Sequence, residues 1–284
     1  MLRRSDFTET YSMAFLTEPE PQRGVALPVL PGIRRIVAAN PSPMTYHGTN
    51  TYLIDSPDGI MVLDPGPDDP AHVAAIVAAT GGKIAKILLS HGHRDHTGGL
   101  AALLAARPAP VWGFGASIDP SVCVDHALAH GDMVDGWTVL HTPGHAADHV
   151  CFARGDGVVL TADHVMGWST SVVGPPNGDM AAYFNSLRLL IGREDKLYLP
   201  GHGPPLPNPR AYVRNMLNHR IQREAAIAGK LGEAPRSTQA LVDALYSQVN
   251  PVLRRAAERN VTAHLLKLQA EGRAVRDGEV WRAA

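Results

Sequence analysis

IAKILLSHGHRDHTGG, residues 84–99, sets a short apolar run directly before three histidines and an aspartate. Ile84–Ser90 has the length and β-branched content of a buried strand that ends at His91. His91 and His93 are two residues apart, so in extended chain their rings project to the same side. Gly92 between them leaves room for the backbone to turn. Asp95 and His96 follow at once, and Thr97-Gly98-Gly99 leads into a helix. Three imidazoles and a carboxylate within six residues exceed what one tetrahedral metal with an open position can use. They suit two metals about 3.5–4 Å apart, with ligands dealt to each.

A centre of that kind needs further ligands from later strand ends, and three candidates occupy such places. His145 closes HTPGH (141–145), Asp163 lies in TADHV (161–165), and His202 lies in PGHGP (200–204). The bland alternative is seven polar loop residues with no common purpose, which the completeness of the set opposes.

Working outward, the chain alternates short apolar runs with small helical patterns. Strands are expected at Thr51–Asp55, Ile60–Asp64, Trp137–His141, His149–Ala153, Val158–Ala162 and Lys196–Leu199. Helices are expected at Ala71–Ala79, Gly99–Ala106 and Met180–Ile191, the last capped by Asp179. GPPLPNPR (203–210) marks a boundary, after which Asn208-Pro209 opens a long helix through about Leu231. Two more helices, Ser237–Tyr246 and Asn250 to about Gln269, precede a hairpin turning at Asp277-Gly278, which is the order of a winged helix. The division is therefore an N-terminal segment 1–24 of unassigned role, a catalytic domain 25–207 and a winged-helix-like domain 208–284.

The 284 residues are 45% hydrophobic and 19% charged, which excludes wholesale disorder. No apolar run approaches the roughly 20 residues that span a bilayer. The first residues, MLRRSDFTETYSMAF, lack the apolar stretch of a secretory signal. Cys123 and Cys151 cannot make a disulfide framework and read as reduced thiols in a cytoplasm. Charge is uneven: residues 1–207 carry a formal −7 and residues 208–284 a formal +6.

The motifs VLDPG (62–66), HGHRDH, HTPGH, TADHV and PGHGP together resemble the metallo-β-lactamase-fold hydrolases over roughly residues 25–207. That resemblance implies an αββα sandwich with metals at one edge of its two sheets. It implies that His91, His93 and His145 bind one metal, Asp95, His96 and His202 the other, and that Asp163 bridges both. Asp64 takes the place of the family's aspartate that orients a ligand histidine. The bridging Asp163 points away from antibiotic hydrolysis, and His93, where flavodiiron proteins carry glutamate, points away from iron redox chemistry. Glyoxalase II-type thioesterases, lactonases and phosphodiesterases, RNases included, remain.

GTNTYLID (48–55), the helix around Tyr183, and PGHGP followed by HRIQRE (219–224) and a winged helix resemble the β-lactamase-like protein 2 group. That group includes single-stranded-RNA endonucleases, and fungal polyketide thioesterases have a similar layout. The implied chemistry is hydrolysis of an ester-type bond by a hydroxide held between two divalent ions. Zn²⁺ suits five histidines and two carboxylates, with Mn²⁺ or Fe²⁺ as alternatives. Asp95 would orient that hydroxide and carry its proton. The substrate is a small-molecule thioester, carboxylic ester or lactone, or alternatively single-stranded RNA. The terminal helix and hairpin are compatible with a homodimer.

Other residues have plainer readings. His149 and His164 flank the ligands, and His164 should point away if Asp163 points in. His141, His47, His72, His126, His130 and His264 read as packed or solvated, and Cys151 as a small buried hydrophobe. Trp168–Ser171 and Gly174–Pro176 line a substrate entrance or form a surface loop. Arg210, Arg214, Arg220 and Arg223 contact phosphate or form a solvated face, Arg220 pairing with Glu224, and the basic tail leans toward a substrate-channel wall. A rival of another class is a non-catalytic module binding DNA or a protein around a structural metal. Structural zinc sites, however, are closed by four ligands.

Overall fold

The computed structural model describes residues 14–284. A seven-stranded sheet runs in chain order: β1 (Leu27–Leu30), β2 (Ile33–Val37), β3 (Asn50–Ser56), β4 (Gly59–Leu63), β5 (Ile84–Leu88), β6 (Val111–Phe114) and β7 (His126–Leu128). A second, six-stranded sheet follows, from β8 (Met133–Val134) through β9 (Trp137–His141), β10 (Val150–Arg154), β11 (Val158–Ala162) and β12 (Leu197–Pro200) to β13 (Leu206–Pro207). Period-two alternation divides their side chains. Tyr52, Ile54, Met61, Leu63 and Leu88 face Trp137, Val139, Val150, Phe152 and Leu160 in a core between the sheets.

The alternate residues face outward onto helices. Leu53, Val62 and Ile87 pack under α1 (Pro70–Thr80) and α3 (Leu100–Ala106). Cys151, Val159 and Tyr198 pack under α4 (Met180–Ile191) and the first half of α5 (Pro209–Glu233). A single-turn α2 (Arg94–Thr97) lies between β5 and α3. The result is the expected four-layer αββα sandwich.

The second half of α5 belongs to another core. Ile227 and Leu231 meet Leu241 and Val242 of α6 (Thr238–Leu245), Val261, Leu265 and Leu268 of α7 (Arg254–Ala270), and Trp281. A three-stranded sheet of β14 (Arg236–Ser237), β16 (Val280–Ala283) and β15 (Ala274–Asp277) completes the small winged-helix domain, its hairpin turning at Gly278-Glu279. Among the described residues no helix is long and apolar enough to cross a membrane.

Several local expectations change. The strand expected over 84–90 ends at Leu88, which leaves Leu89 and Ser90 as an extended approach to the histidines. Asn208 does not cap α5: it is left-handed, with φ 49°, and its side chain makes no capping bond. Asp179 does cap α4, accepting from the Ala182 amide. Strand β2, IRRIV, escapes a patterning search because its central Arg35 is buried. Glu18 neutralises it at 2.8 Å and the Gly203 carbonyl accepts at 3.0 Å. That pair also ties down part of the 1–24 segment, of which residues 1–13 lie outside the described residues. Leu16 adds a backbone bond to Gly167.

Glu224, expected to pair with Arg220, instead binds Lys267 at 2.9 Å, Arg273 at 3.2 Å and His264 at 3.3 Å. Burial raises its carboxyl, but these partners outweigh burial and hold it below the ordinary glutamate range. A depressed folded value contributes stability that is present above about pH 4.5, the ordinary value, and lost as pH falls through the folded one. Glu224→Gln should therefore flatten the fall of melting temperature below that pH, as a calorimetric pH series will show. Phe152→Ala should cost about 3–5 kcal/mol of stability, read from denaturant midpoints, because Phe152 is fully buried between the sheets.

Candidate metal centre

β4 and β5 are parallel neighbours in the first sheet, and β9, β11 and β12 share one direction in the second. All five strands release their chain at the same edge, and every expected ligand sits just beyond one of these ends. β11 reaches that edge with a register shift between Leu160 and Ala162, and Ala162 is left-handed at φ 41°. Such an irregularity re-aims the next side chain, here Asp163, toward the cleft. Gly201, just past the end of β12, faces it, and a Cβ there would lie 2.6 Å from Asp163 Oδ1 and 2.8 Å from His96 Cε1.

The seven expected residues are brought together. His91, His93 and His145 form one group; Asp95, His96 and His202 form another; His91, His96 and Asp163 form a third between them. Within each group the candidate ligand atoms lie within 4.8 Å of one another. Asp163 straddles the first two, its Oδ2 3.6 Å from His145 Nε2 and its Oδ1 3.3 Å from His96 and 3.4 Å from His202.

What aims four of the five rings is a bond on the far side. His96 Nδ1 donates to Asp64 Oδ2 at 2.9 Å. The same oxygen accepts from Ser90 Oγ at 2.7 Å, and Ser90 Oγ accepts in turn from His91 Nδ1 at 2.9 Å. His145 Nδ1 donates to the Val172 carbonyl at 2.7 Å, and His202 Nδ1 faces the Gly48 carbonyl at 3.3 Å. With Nδ1 carrying the proton, the Nε2 lone pairs of these four histidines face inward. His93 offers Nδ1 instead, 2.9 Å from both His91 Nε2 and His145 Nε2.

This arrangement is a direct test of fit for a cation. His93 Nδ1 can give a proton to only one of its two neighbours, so one close nitrogen–nitrogen contact is left without a hydrogen bond. Asp163 Oδ1 is buried with no hydrogen-bond partner. Burial and neighbouring imidazoles push His91 and His93 below the ordinary histidine range. Burial pulls His145 down too, against Asp163. Burial also opposes charge on His96 and His202, but Asp163 and Asp95 outweigh it and hold both rings above that range. The cluster gathers positive charge, and divalent ions fit it.

The flanking residues go elsewhere. His164 is buried against Tyr183, ring centroids 4.7 Å apart, and joins none of the three groups. His149 bonds Thr142 at 2.9 Å beneath His91. His141 stacks on Phe114, and the Cys151 thiol is pushed up to about 12 by burial.

Three contributors have roles that the sequence does not signal. Arg220 is buried in α5, its guanidinium over the Tyr183 ring, and donates to the Ser171 carbonyl and to Asn260 Oδ1. Asn260 Oδ1 also accepts from the Val173 amide at 2.9 Å. Ser171 Oγ donates to the Asp163 and His164 carbonyls. The winged-helix side thus clamps the 171–173 loop that orients His145 and braces Asp163. Arg223 is spent on the Leu245 carbonyl and the Tyr246 ring, so two of the four arginines read as phosphate contacts serve packing.

A pocket of about 180 Å³ opens beside His145 and Asp163. Met44, Met166, Trp168, Ser169 and Thr170 form one wall; Tyr246, Val249 and Leu253 of the winged-helix domain form the other. Trp168–Thr170 therefore line a pocket rather than an open surface, and Ser171 and Gly174–Pro176 stand outside it.

Comparison with known proteins agrees with this geometry. The metallo-beta-lactamase superfamily model matches residues 44–116 and 113–202, and that of the beta-lactamase associated winged helix domain matches 237–281. The chain is 33% identical to the beta-lactamase-like protein 2 homolog of Drosophila melanogaster, covering 84% of this chain and 88% of that one. It is 30% identical to an atrochrysone carboxyl ACP thioesterase of Aspergillus chevalieri, over 93% of this chain and 91% of the relative. A beta-lactamase domain protein from Burkholderia ambifaria superposes with a TM-score of 0.80 at 20% identity, covering 93% and 95% of the two chains. Fold, ligand geometry and both domain matches place this chain in the metallo-beta-lactamase superfamily, as a hydrolase carrying the associated winged helix.

Proposed function

We propose that this protein is a dinuclear zinc thioesterase acting on substrates with an apolar acyl group. The observation that carries this reading is the apolar pocket that opens onto His145 and Asp163. A relative named as a thioesterase, similar over nearly its whole length, supports it. Lactones and carboxylic esters share the chemistry.

His91, His93 and His145 would hold one ion, Asp95, His96 and His202 the other, with Asp163 shared between them. Ions bound there supply Lewis acidity and a water acidic enough to attack at neutral pH. The chain's own groups do the rest. Asp95, a third exposed, turns Oδ2 toward His202 at 3.3 Å and keeps Oδ1 for the proton of the attacking water. Asp64 fixes the tautomers of His96 and, through Ser90, of His91. The walls from Met44 and Trp168 to Tyr246 and Leu253 hold the acyl chain and exclude bulk water. Water adds to the carbonyl carbon, the carbon–sulfur bond breaks, and a carboxylic acid and a thiol leave.

Zinc-loaded protein should release free thiol from medium-chain acyl thioesters, followed with a thiol reagent, and Asp163→Ala prepared identically should not. Cleavage of end-labelled single-stranded RNA by the wild type, with thioesters untouched, would replace this reading with an endoribonuclease. Asp64→Asn keeps the shape but loses the charge behind two histidines. It should weaken metal binding by about 10–100-fold in a chelator competition.

A further inference from the structure

Arg259 projects from α7 of the winged-helix domain into the cleft that His93, Asp95, His145, Asp163 and His202 line. A further cavity, of about 370 Å³, also contains Arg259 and adds Arg255, Pro175 and Pro176, with Glu258 as its one acidic residue. On its other side the cleft shares Met44, His145, Asp163 and Val172 with the apolar pocket. The compartments therefore run in a row: apolar chamber, metal-binding cleft, arginine-lined cavity.

Arg259 is exposed, and its guanidinium is held by carbonyls alone, those of Gly174 at 3.3 Å and Pro175 at 3.4 Å. Among the described residues neither Arg255 nor Arg259 forms an ion pair. The backbone that carries Arg259 is nonetheless fixed. A Cβ on Gly174 would lie 2.6 Å from Arg259 Cβ, so loop and helix meet there at backbone range, and the adjacent Asn260 bolts the helix to Val173. Two long bonds from one terminal nitrogen leave the other N–H donors of the Arg259 guanidinium for a ligand. A guanidinium fork matches a phosphate or carboxylate in two parallel bonds.

We propose that Arg259, with Arg255 beside it, is an anion-recognition subsite that selects thioesters whose thiol arm carries a negative group. The acyl chain lies in the apolar chamber and the anionic arm leaves through the arginine cavity. This inference rests on the thioesterase reading for its substrate, but its binding test does not need turnover.

The test uses three octanoyl thioesters with one acyl group: those of coenzyme A, with phosphates, of glutathione, with carboxylates, and of neutral N-acetylcysteamine. For zinc-loaded protein, Arg259→Gln should lower the kcat/KM ratio of an anionic over the neutral thioester by about tenfold or more. Which of the two anionic esters responds identifies the group recognised. Calorimetric titration with S-methyl-coenzyme A and S-methylglutathione, which lack a free thiol and a scissile bond, should show the same loss of affinity. Unchanged ratios and unchanged binding in Arg259→Gln would overturn the subsite and leave the thioesterase reading intact. Arg259-dependent binding by a protein that hydrolyses none of the thioesters would keep the subsite and overturn that reading instead.

Discussion

Lone pairs aimed at one another repel, and a cluster of them is held together by gripping rings from behind. Here the carboxylate of Asp64 grips two of the five. Its Oδ1 accepts the Ser90 amide, its Oδ2 takes the Ser90 hydroxyl and His96, and Ser90 passes the constraint to His91. Asp64 is itself left-handed, at φ 54°, at the end of β4, with its amide bonded to the Leu88 carbonyl. Strained backbone of this kind persists where the surroundings over-determine it. The parallel pairing of β4 with β5 therefore sets more than a sheet edge: it sets which nitrogen of two buried histidines faces the centre of the cluster.

The two sheets are fastened to each other at that same edge. Asn50, opening β3, donates its backbone amide to the Gly201 carbonyl and its side chain to those of Pro200 and Gly203. Thr49 bridges to His202. The cleft is thus held at three levels: sheet to sheet through Asn50, strand to histidine through Asp64, and winged helix to loop through Arg220 and Asn260. Only the last crosses from one core to the other.

What could be read from the residues was whatever depends on short spacing. HGHRDH states its own geometry, and the single residues after later strands are marked by small neighbours and by the end of an apolar run. The strands with strict alternation could be read for the same reason. Arg35 hid β2 because its neutralising Glu18 lies 17 residues away, and pairing across such distance has no period. Arg220 looked like half of a helical ion pair, since spacing alone favours Glu224. Tertiary packing gave each a different partner. Ser90, Asn260 and Arg259 carry ordinary residue types in ordinary positions, and only the folded chain shows what each one reaches.

Helix α5 has 25 residues, and at about 1.5 Å of rise per residue it is a rod roughly 37 Å long. Its first half is embedded in the sandwich and its second half in the winged helix, with no joint between. Two domains on a flexible tether would open and shut around their cleft. Two domains skewered on one rod keep a fixed gap, which only bending of the rod can alter. The girth of molecule that the cleft admits is therefore written in the packing of α5 as well as in the walls of the cleft. Substitutions at Met216 or Ile227, which seat the rod in its two cores, would change the width of that gap.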